Sequence, residues 1–435
     1  MADQPTPEPS LNLNAPRPDL NAPRPTGRPV YESTLLPERR HRRLPPWLVI
    51  PVLLLALLVL LYFLIFAPKP RRFVDTEGRL VYASDEGSPG VTHLWTMGTD
   101  GSEARRITAR PAASPAFTAD GSQVAFSSQV GGQNQIFIAD ADGRNPLPVT
   151  RTAGAKLLPA FAPGSNTLLG FLSGASLAVM EAGKGDAALL LPSAGGAGAR
   201  PDAAGGGQAR EAAAVTSFAW RPGQIADKPG LAAVLDSGGT QTLAVLPSLD
   251  AAPRLTQNDQ PDGLPLADAD ALSLAWSPDG ARIAVALLHA PAPGGKTVSG
   301  LALFDAAGGF VRRLFLLPPG STAGPQNPVF SPDGAQIAVE VWHQPDLARR
   351  SEIGLFLVPL QGPDAGSGPP RLLARGECGA ARFSADGGQV FFLARRADGG
   401  HDLIRINASG AGARRISDGH MDVSAFALSP QAARP

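Results

Sequence analysis

Seven short segments of one form recur along the chain, each a small or apolar residue followed by an aromatic and often by Ser or Thr. They are Pro115-Ala116-Phe117-Thr118, Pro159-Ala160-Phe161, Phe218-Ala219-Trp220, Leu274-Ala275-Trp276-Ser277, Pro328-Val329-Phe330-Ser331, Ala381-Arg382-Phe383-Ser384 and Ser424-Ala425-Phe426. Their aromatic residues stand 44, 59, 56, 54, 53 and 43 positions apart. That is the period of a four-stranded propeller blade, with loop insertions in some copies. A repeat of this length constrains the fold strongly, because each copy buries its apolar face only by stacking on the next.

The interior of each copy follows the same plan. An Asp-Gly turn stands at Asp120-Gly121, Asp279-Gly280, Asp333-Gly334 and Asp386-Gly387, where glycine supplies the positive φ that a tight hairpin needs. Alternating apolar strands follow, such as Arg282-Ile283-Ala284-Val285 and Gln336-Ile337-Ala338-Val339. Third strands read as Gln135-Ile136-Phe137-Ile138 or Leu301-Ala302-Leu303-Phe304. Outer strands are marked by Arg105-Arg106, Arg312-Arg313 and Arg414-Arg415, charges that discourage edge-to-edge aggregation. The 49 Gly and 44 Pro of the 435 residues argue against a helical bundle and suit this turn-rich plan.

The two ends of the repeat complement each other. The last copy, around Phe426, has no later strands, whereas Gly78 to Thr108 supplies second, third and fourth strands without a first. Residues 423–428 are therefore expected to complete the blade begun at 79–109, closing the ring. The expectation is an all-β, seven-bladed β-propeller over 76–430, with a flexible Gly/Ala-rich insertion near 193–213.

The Ser-Pro-Asp-Gly motifs at 277–280 and 331–334, each followed by an Ile-Ala-Val strand, resemble the repeats of TolB-like propellers. Leu94-Trp95-Thr96-Met97, Asp100-Gly101 and Arg105-Arg106-Ile107-Thr108 resemble the same family. The resemblance covers roughly 75–430 and implies an exported domain that mediates protein contacts, with lyases and peptidase accessory domains among its relatives. Six blades and a periplasmic location characterise the namesake family, so this chain departs from it.

Ahead of the propeller lie three expected segments. Residues 1–46 hold eleven prolines and few large apolar side chains, so they should form a disordered, Pro/Arg-rich tail. Residues 47–67, WLVIPVLLLALLVLLYFLIFA, carry no charge, and 21 residues at ~1.5 Å each span a hydrocarbon core of about 30 Å. They are expected to form an uncleaved single transmembrane helix, with 68–75 as a linker. Arg39, Arg40, Arg42 and Arg43 precede it against Lys69, Arg71 and Arg72 after it. The positive-inside rule then places the tail in the cytoplasm and the propeller outside.

Chemistry is harder to find. Basic and acidic residues number 38 each, and the tail and flanks hold most of the positive excess, so nothing recommends a nucleic-acid partner. A G-x-S-x-G elbow, an H-E-x-x-H helix and a Walker phosphate loop are all missing from the sequence. Cys378 stands alone and suits a small packed residue. His93, His289, His343, His401 and His420 fall in loops expected on one face of blades five, six, seven and one. His289, His343, His401 and His420 are candidate ligands for a divalent metal, although no close-spaced pair such as H-x-H supports one.

The same face carries Asp85, Glu86, Trp342, Arg395, Arg396, Met421 and Asp422, which with His93, His343 and His420 form a candidate binding face. No catalytic residue, cofactor or metal site is assigned. The reading is a membrane-anchored, extracytoplasmic β-propeller that acts as a non-catalytic scaffold for a protein or peptide at the loop face or channel mouth. One alternative is a metal-dependent glycan lyase or hydrolase using the histidine-bearing loops. Another is a ligand sensor whose cytoplasmic tail recruits a partner.

Overall fold

Residues 78–184, 187–191, 213–223, 229–237, 240–255, 271–292, 296–317, 323–343, 353–360 and 370–430 are described in a computed structural model. The expected tail, membrane segment and linker lie outside these residues, as does nearly all of the 193–213 insertion. Seven antiparallel four-stranded sheets make up the described chain, which contains no helix. The all-β, seven-bladed propeller read from the repeat is therefore present.

Ring closure takes the expected form. The strand Val423–Leu428 pairs antiparallel with Arg79–Ser84, placing Phe426 opposite Tyr82, and is the inner strand of blade one. His93–Gly98 and Arg105–Arg106 complete that sheet. The next six blades begin at the inner strands Ala112–Phe117, Lys156–Phe161, Ala214–Trp220, Ala271–Trp276, Ala323–Phe330 and Cys378–Phe383. Every repeat aromatic falls at or near the end of its inner strand.

Seven clusters of buried apolar side chains each span two neighbouring blades, so the ring has one core per interface. At the closing interface Leu80, Tyr82, Phe426 and Val423 of blade one meet Phe391, Leu393 and Leu403 of blade seven. This is the stacking that the repeat period demands, since a lone sheet leaves an apolar face in water. Two tryptophans add a polar link. Trp220 Nε1 donates to the Ala160 carbonyl at 2.9 Å, and Trp276 Nε1 to the Ala219 carbonyl at 3.2 Å. Each indole thus reaches the residue beside the previous blade's aromatic, satisfying a donor that burial would otherwise strand.

The Asp-Gly turns carry their own scaffold. Ser277, Ser331, Ser384 and Thr118 each donate from the hydroxyl to the turn aspartate, at 2.5, 2.5, 2.6 and 2.7 Å. The same hydroxyl accepts the backbone N–H that opens the second strand. These bonds hold the Asp279 and Asp333 carboxyls below the usual carboxylate range, and Asp120 is held there first by the Ser122 backbone and hydroxyl and then by Thr118. The glycine is obligatory in blade five, where Gly280 has φ +66° and a Cβ would strike the Pro222 carbonyl of blade four.

A second repeated device has no sequence signal. Ser114, Leu158, Asn327 and Ala380 take left-handed φ values of 53°, 50°, 48° and 54°. Each lies where its inner strand slips register against the second strand. These are β-bulges, which bend the strand lining the channel; a residue with a Cβ pays strain of roughly 1–2 kcal/mol there.

Candidate binding face

Blade seven meets blade one at a seam roofed by the loops 85–92, 396–400 and 416–422, and this seam gathers most of the residues singled out above. Arg396 lies nearly buried and acts as a tie. Its Nε donates to Asp398 Oδ1 at 3.0 Å, and its Nη1 donates to Asp402 Oδ1 at 3.1 Å and to the Met421 carbonyl at 2.6 Å. Asp402 also accepts from Ser417 Oγ at 3.1 Å, and Arg415 Nη1 lies 3.5 Å from its other oxygen. Hydrogen bonding to Arg396 holds the Asp398 carboxyl below its ordinary value.

A second network crosses the seam. Asp422 N–H donates to Asp85 Oδ1 at 3.0 Å, and Asp85 N–H points back to the Asp422 carbonyl at 3.4 Å. Asp422 Oδ1 accepts from the His401 backbone N–H at 2.7 Å and lies 3.1 Å from His401 Nδ1. Asp418 Oδ1 accepts from the backbone of His420 at 2.9 Å and of Met421 at 3.3 Å. His420 itself is exposed. Arg395 extends outward and pairs with Glu377 at 2.6 Å.

Other residues turn inward. Met421 is buried in the core between blades seven and one, so this position presents only a backbone carbonyl. His93 is buried at the start of its strand, and its Nδ1 lies 3.0 Å from the Arg110 carbonyl and 2.9 Å from Arg106 Nη2. Trp342 and His343 end the second strand of blade six, and His289 lies where the second strand of blade five slips register. The side chains of these three lie outside the described set. Among the described residues no group of three or more His, Cys, Asp or Glu is arranged to hold a metal ion.

Beneath the loops, three buried polar atoms lack a partner among the described residues: Tyr82 Oη, Glu86 Oε2 and Trp95 Nε1. Tyr82 and Trp95 stand opposite one another in the sheet, their rings stacked with centroids 6.5 Å apart. Burial, then the Asp418 charge, pushes the Glu86 carboxyl above its ordinary value, and the Tyr82 phenol is raised by burial and both acids. Tyr82, Trp95, Asp402 and Asp418 escaped the sequence reading. Tyr82 and Trp95 read there as ordinary strand residues, and nothing linked Asp402 to Arg396 and Arg415 or Asp418 to the backbone of His420 and Met421.

A separate crevice of about 950 Å³ opens between blades one and two. Its floor is Val124, Phe126, Phe137 and Ala139, with the two phenylalanine rings stacked at 5.8 Å. Arg110 and Arg151 line it from the loops that lead from each blade to the next. Nothing in the sequence pattern marked it, because its walls come from two blades joined by very short outer strands.

No family model and no curated relative matches the chain. Solved structures do. The β-propeller domain of the Trilobed protease from Pyrococcus furiosus, described as having an open velcro topology, is 11% identical, with 79% of this chain and 96% of that one covered and a TM-score of 0.51. A puromycin hydrolase is 15% identical over 72% of this chain and 48% of its own, with a TM-score of 0.50. TolB from Acinetobacter baumannii is 16% identical over 82% of this chain and 68% of its own, with a TM-score of 0.49. At these identities the likeness establishes one thing, that the chain folds as a β-propeller.

Proposed function

We propose that the chain is a non-catalytic binding module, a β-propeller held at a membrane by residues 47–67 and displayed outside the cytoplasm, docking a protein or peptide on the loop face over the seam of blades seven and one. One observation supports this above the others. The polar residues of that face are engaged with one another: His93 with the Arg110 carbonyl, His401 with Asp422, and Arg396 with Asp402. Imidazoles engaged in this way serve the architecture, and the networks make the loops a rigid platform with polar, solvent-facing edges at Arg395, His420 and Asp422. The glycan lyase alternative asks the same imidazoles to turn outward onto a metal.

A photoreactive amino acid placed at His420 in the full chain tests the reading in intact cells. The expected result is one discrete adduct, lost when Arg395 and Asp422 are both reversed in charge. Stoichiometric manganese or zinc in the purified protein, removed by His343→Ala, would overturn it in favour of the lyase. Protease added outside intact cells should cut the propeller loops, and full protection there would reverse the orientation.

A further inference from the structure

The crevice between blades one and two is built like a ligand site, and it lies apart from the docking face over the seam. Its four floor residues are nearly inaccessible, none more than 7% exposed, yet they border a space of about 950 Å³. That volume is at the upper end of the range for pockets that hold small ligands, and such pockets combine an apolar lining with a few placed polar groups. The second strand runs along the floor from Val124 to Val130, about 20 Å at ~3.3 Å per residue. The apolar wall of the space is therefore long enough for an extended alkyl chain.

Charge is distributed unevenly along it. Both arginines of the crevice, Arg110 and Arg151, sit at the loop-face end and are exposed, and neither guanidinium has an ion-pair or hydrogen-bond partner among the described residues. The acidic residue that lines the crevice, Asp140, belongs to the opposite end, where the third strand finishes.

Both arginine-bearing loops are braced from below. On the first, Arg106 donates to the carbonyls of Thr108 at 2.6 Å and Ala109 at 2.9 Å, and its Nη2 lies 2.9 Å from the Nδ1 of buried His93. On the second, Gln135 Nε2 donates to the Thr152 carbonyl at 3.0 Å, while the buried Lys156 ammonium donates to the carbonyls of Ala153 at 2.7 Å and Gly154 at 2.9 Å. A lysine with no carboxylate in reach among the described residues is here spent on fixing a loop. The bracing positions the backbone on either side of the crevice mouth and leaves the two guanidinium groups projecting, an arrangement that lowers the ordering cost of binding an anion.

We propose that this crevice binds a single-chain amphiphile with a carboxylate head, its alkyl chain along the Val124–Phe126–Phe137–Ala139 floor and its carboxylate at Arg110 and Arg151. Guanidinium groups match a carboxylate in charge and in planar hydrogen-bonding geometry. The extended apolar floor matches an alkyl chain, and the asymmetry of charge fixes which end enters first. A cationic amphiphile would place its head against the same two arginines and be rejected.

The test uses the full chain in lipid nanodiscs and a diazirine analogue of decanoic acid, with labelled peptides mapped by mass spectrometry. Saturable labelling is expected within 107–110 and 124–139. Decanoate should compete at least tenfold better than decanol, as charge-assisted bonds require, and roughly fourfold better per added methylene from octanoate upward. The Arg110→Gln/Arg151→Gln pair should lose labelling at least tenfold while the far-ultraviolet dichroism stays unchanged. Val130→Glu, which adds an acid to an exposed position at the mouth, should do the same. Labelling elsewhere only, equal competition by decanol, or full labelling of a folded double variant would each overturn the proposal. The His420 crosslinking result is independent of all three outcomes.

Discussion

Asp85 and Asp422, 337 positions apart, meet backbone to side chain and backbone to backbone across the closure of the ring. Two segments from opposite ends of the described chain are thereby locked above the strand pair that joins Arg79–Ser84 to Val423–Leu428. The loop face is as rigid as this closure, and several measurable consequences rest on it.

Removing residues 421–435 deletes Met421, Val423 and Phe426 from the core shared by blades seven and one. Large-to-small changes at such positions cost ~2–5 kcal/mol each, against a typical total stability of about 5–15 kcal/mol. The truncated chain should lose its cooperative thermal transition in scanning calorimetry. An unchanged melting curve would show that the ring does not depend on its final strand.

Glu86 should be a stability liability at neutral pH. Its carboxyl is raised in the folded state by burial and by Asp418, so the fold weakens as pH climbs through that raised value and the charge forms. Glu86→Gln should therefore raise the melting temperature at pH 7 by roughly 1–3 °C. At about pH 3, more than a unit below the ordinary glutamate value of ~4.3, both side chains are neutral in the folded and unfolded chains, and the two proteins should melt together. A gain that persisted at pH 3 would contradict the assignment.

The turn hydroxyls make an opposite pH signature. Asp333 lies below its ordinary value because Ser331 Oγ donates to it, so that stabilisation is complete above the unfolded carboxyl value of ~3.9 and fades as pH falls through the lower folded one. Ser331→Ala should cost about 1 kcal/mol at pH 7 and less at pH 2.5, read from urea midpoints at the two pH values. An equal cost at both would remove the aspartate from the account.

Cys378 opens the inner strand of blade seven, buried, with its thiol pushed up to about 12 by burial and by the Glu340 charge. Thiolate is the reactive form, so iodoacetamide at pH 8 should leave the native protein unmodified for hours and label it fully in denaturant. Rapid native labelling would mean that the interface between blades six and seven opens readily.

Much of this architecture is legible in the sequence, and the reason is periodicity. Aromatic residues near one end of each inner strand, with Ser/Thr-x-Asp-Gly turns after four of them, encode a stacked unit repeated seven times, and the unmatched halves at the two ends encode closure. Outer strands such as Leu147–Pro148 and Arg254–Leu255 were not legible, because two residues carry no period. Nor were the bulges at Ser114, Leu158, Asn327 and Ala380, whose left-handed geometry is imposed by packing on residues that do not favour it. The candidate face was located by counting loops. Which way a loop side chain turns is set by partners distant in sequence, so the burial of Met421 and the His93 bond to the Arg110 carbonyl had no local signal.

The closing strand also sets a timetable. Residues 79–98 leave the ribosome long before Val423–Leu428, and at about 5–20 residues per second the 337 positions separating Asp85 from Asp422 take roughly 20–70 s to synthesise. For that interval the strand bearing Leu80 and Tyr82 has an unsatisfied inner edge and an uncovered apolar face. Six blades can assemble in order behind it, while the first to emerge is the last to be finished. A holdase that shields 79–98, or a strand from a second molecule that takes the vacant edge, would act in this window and at no other time in the life of the protein.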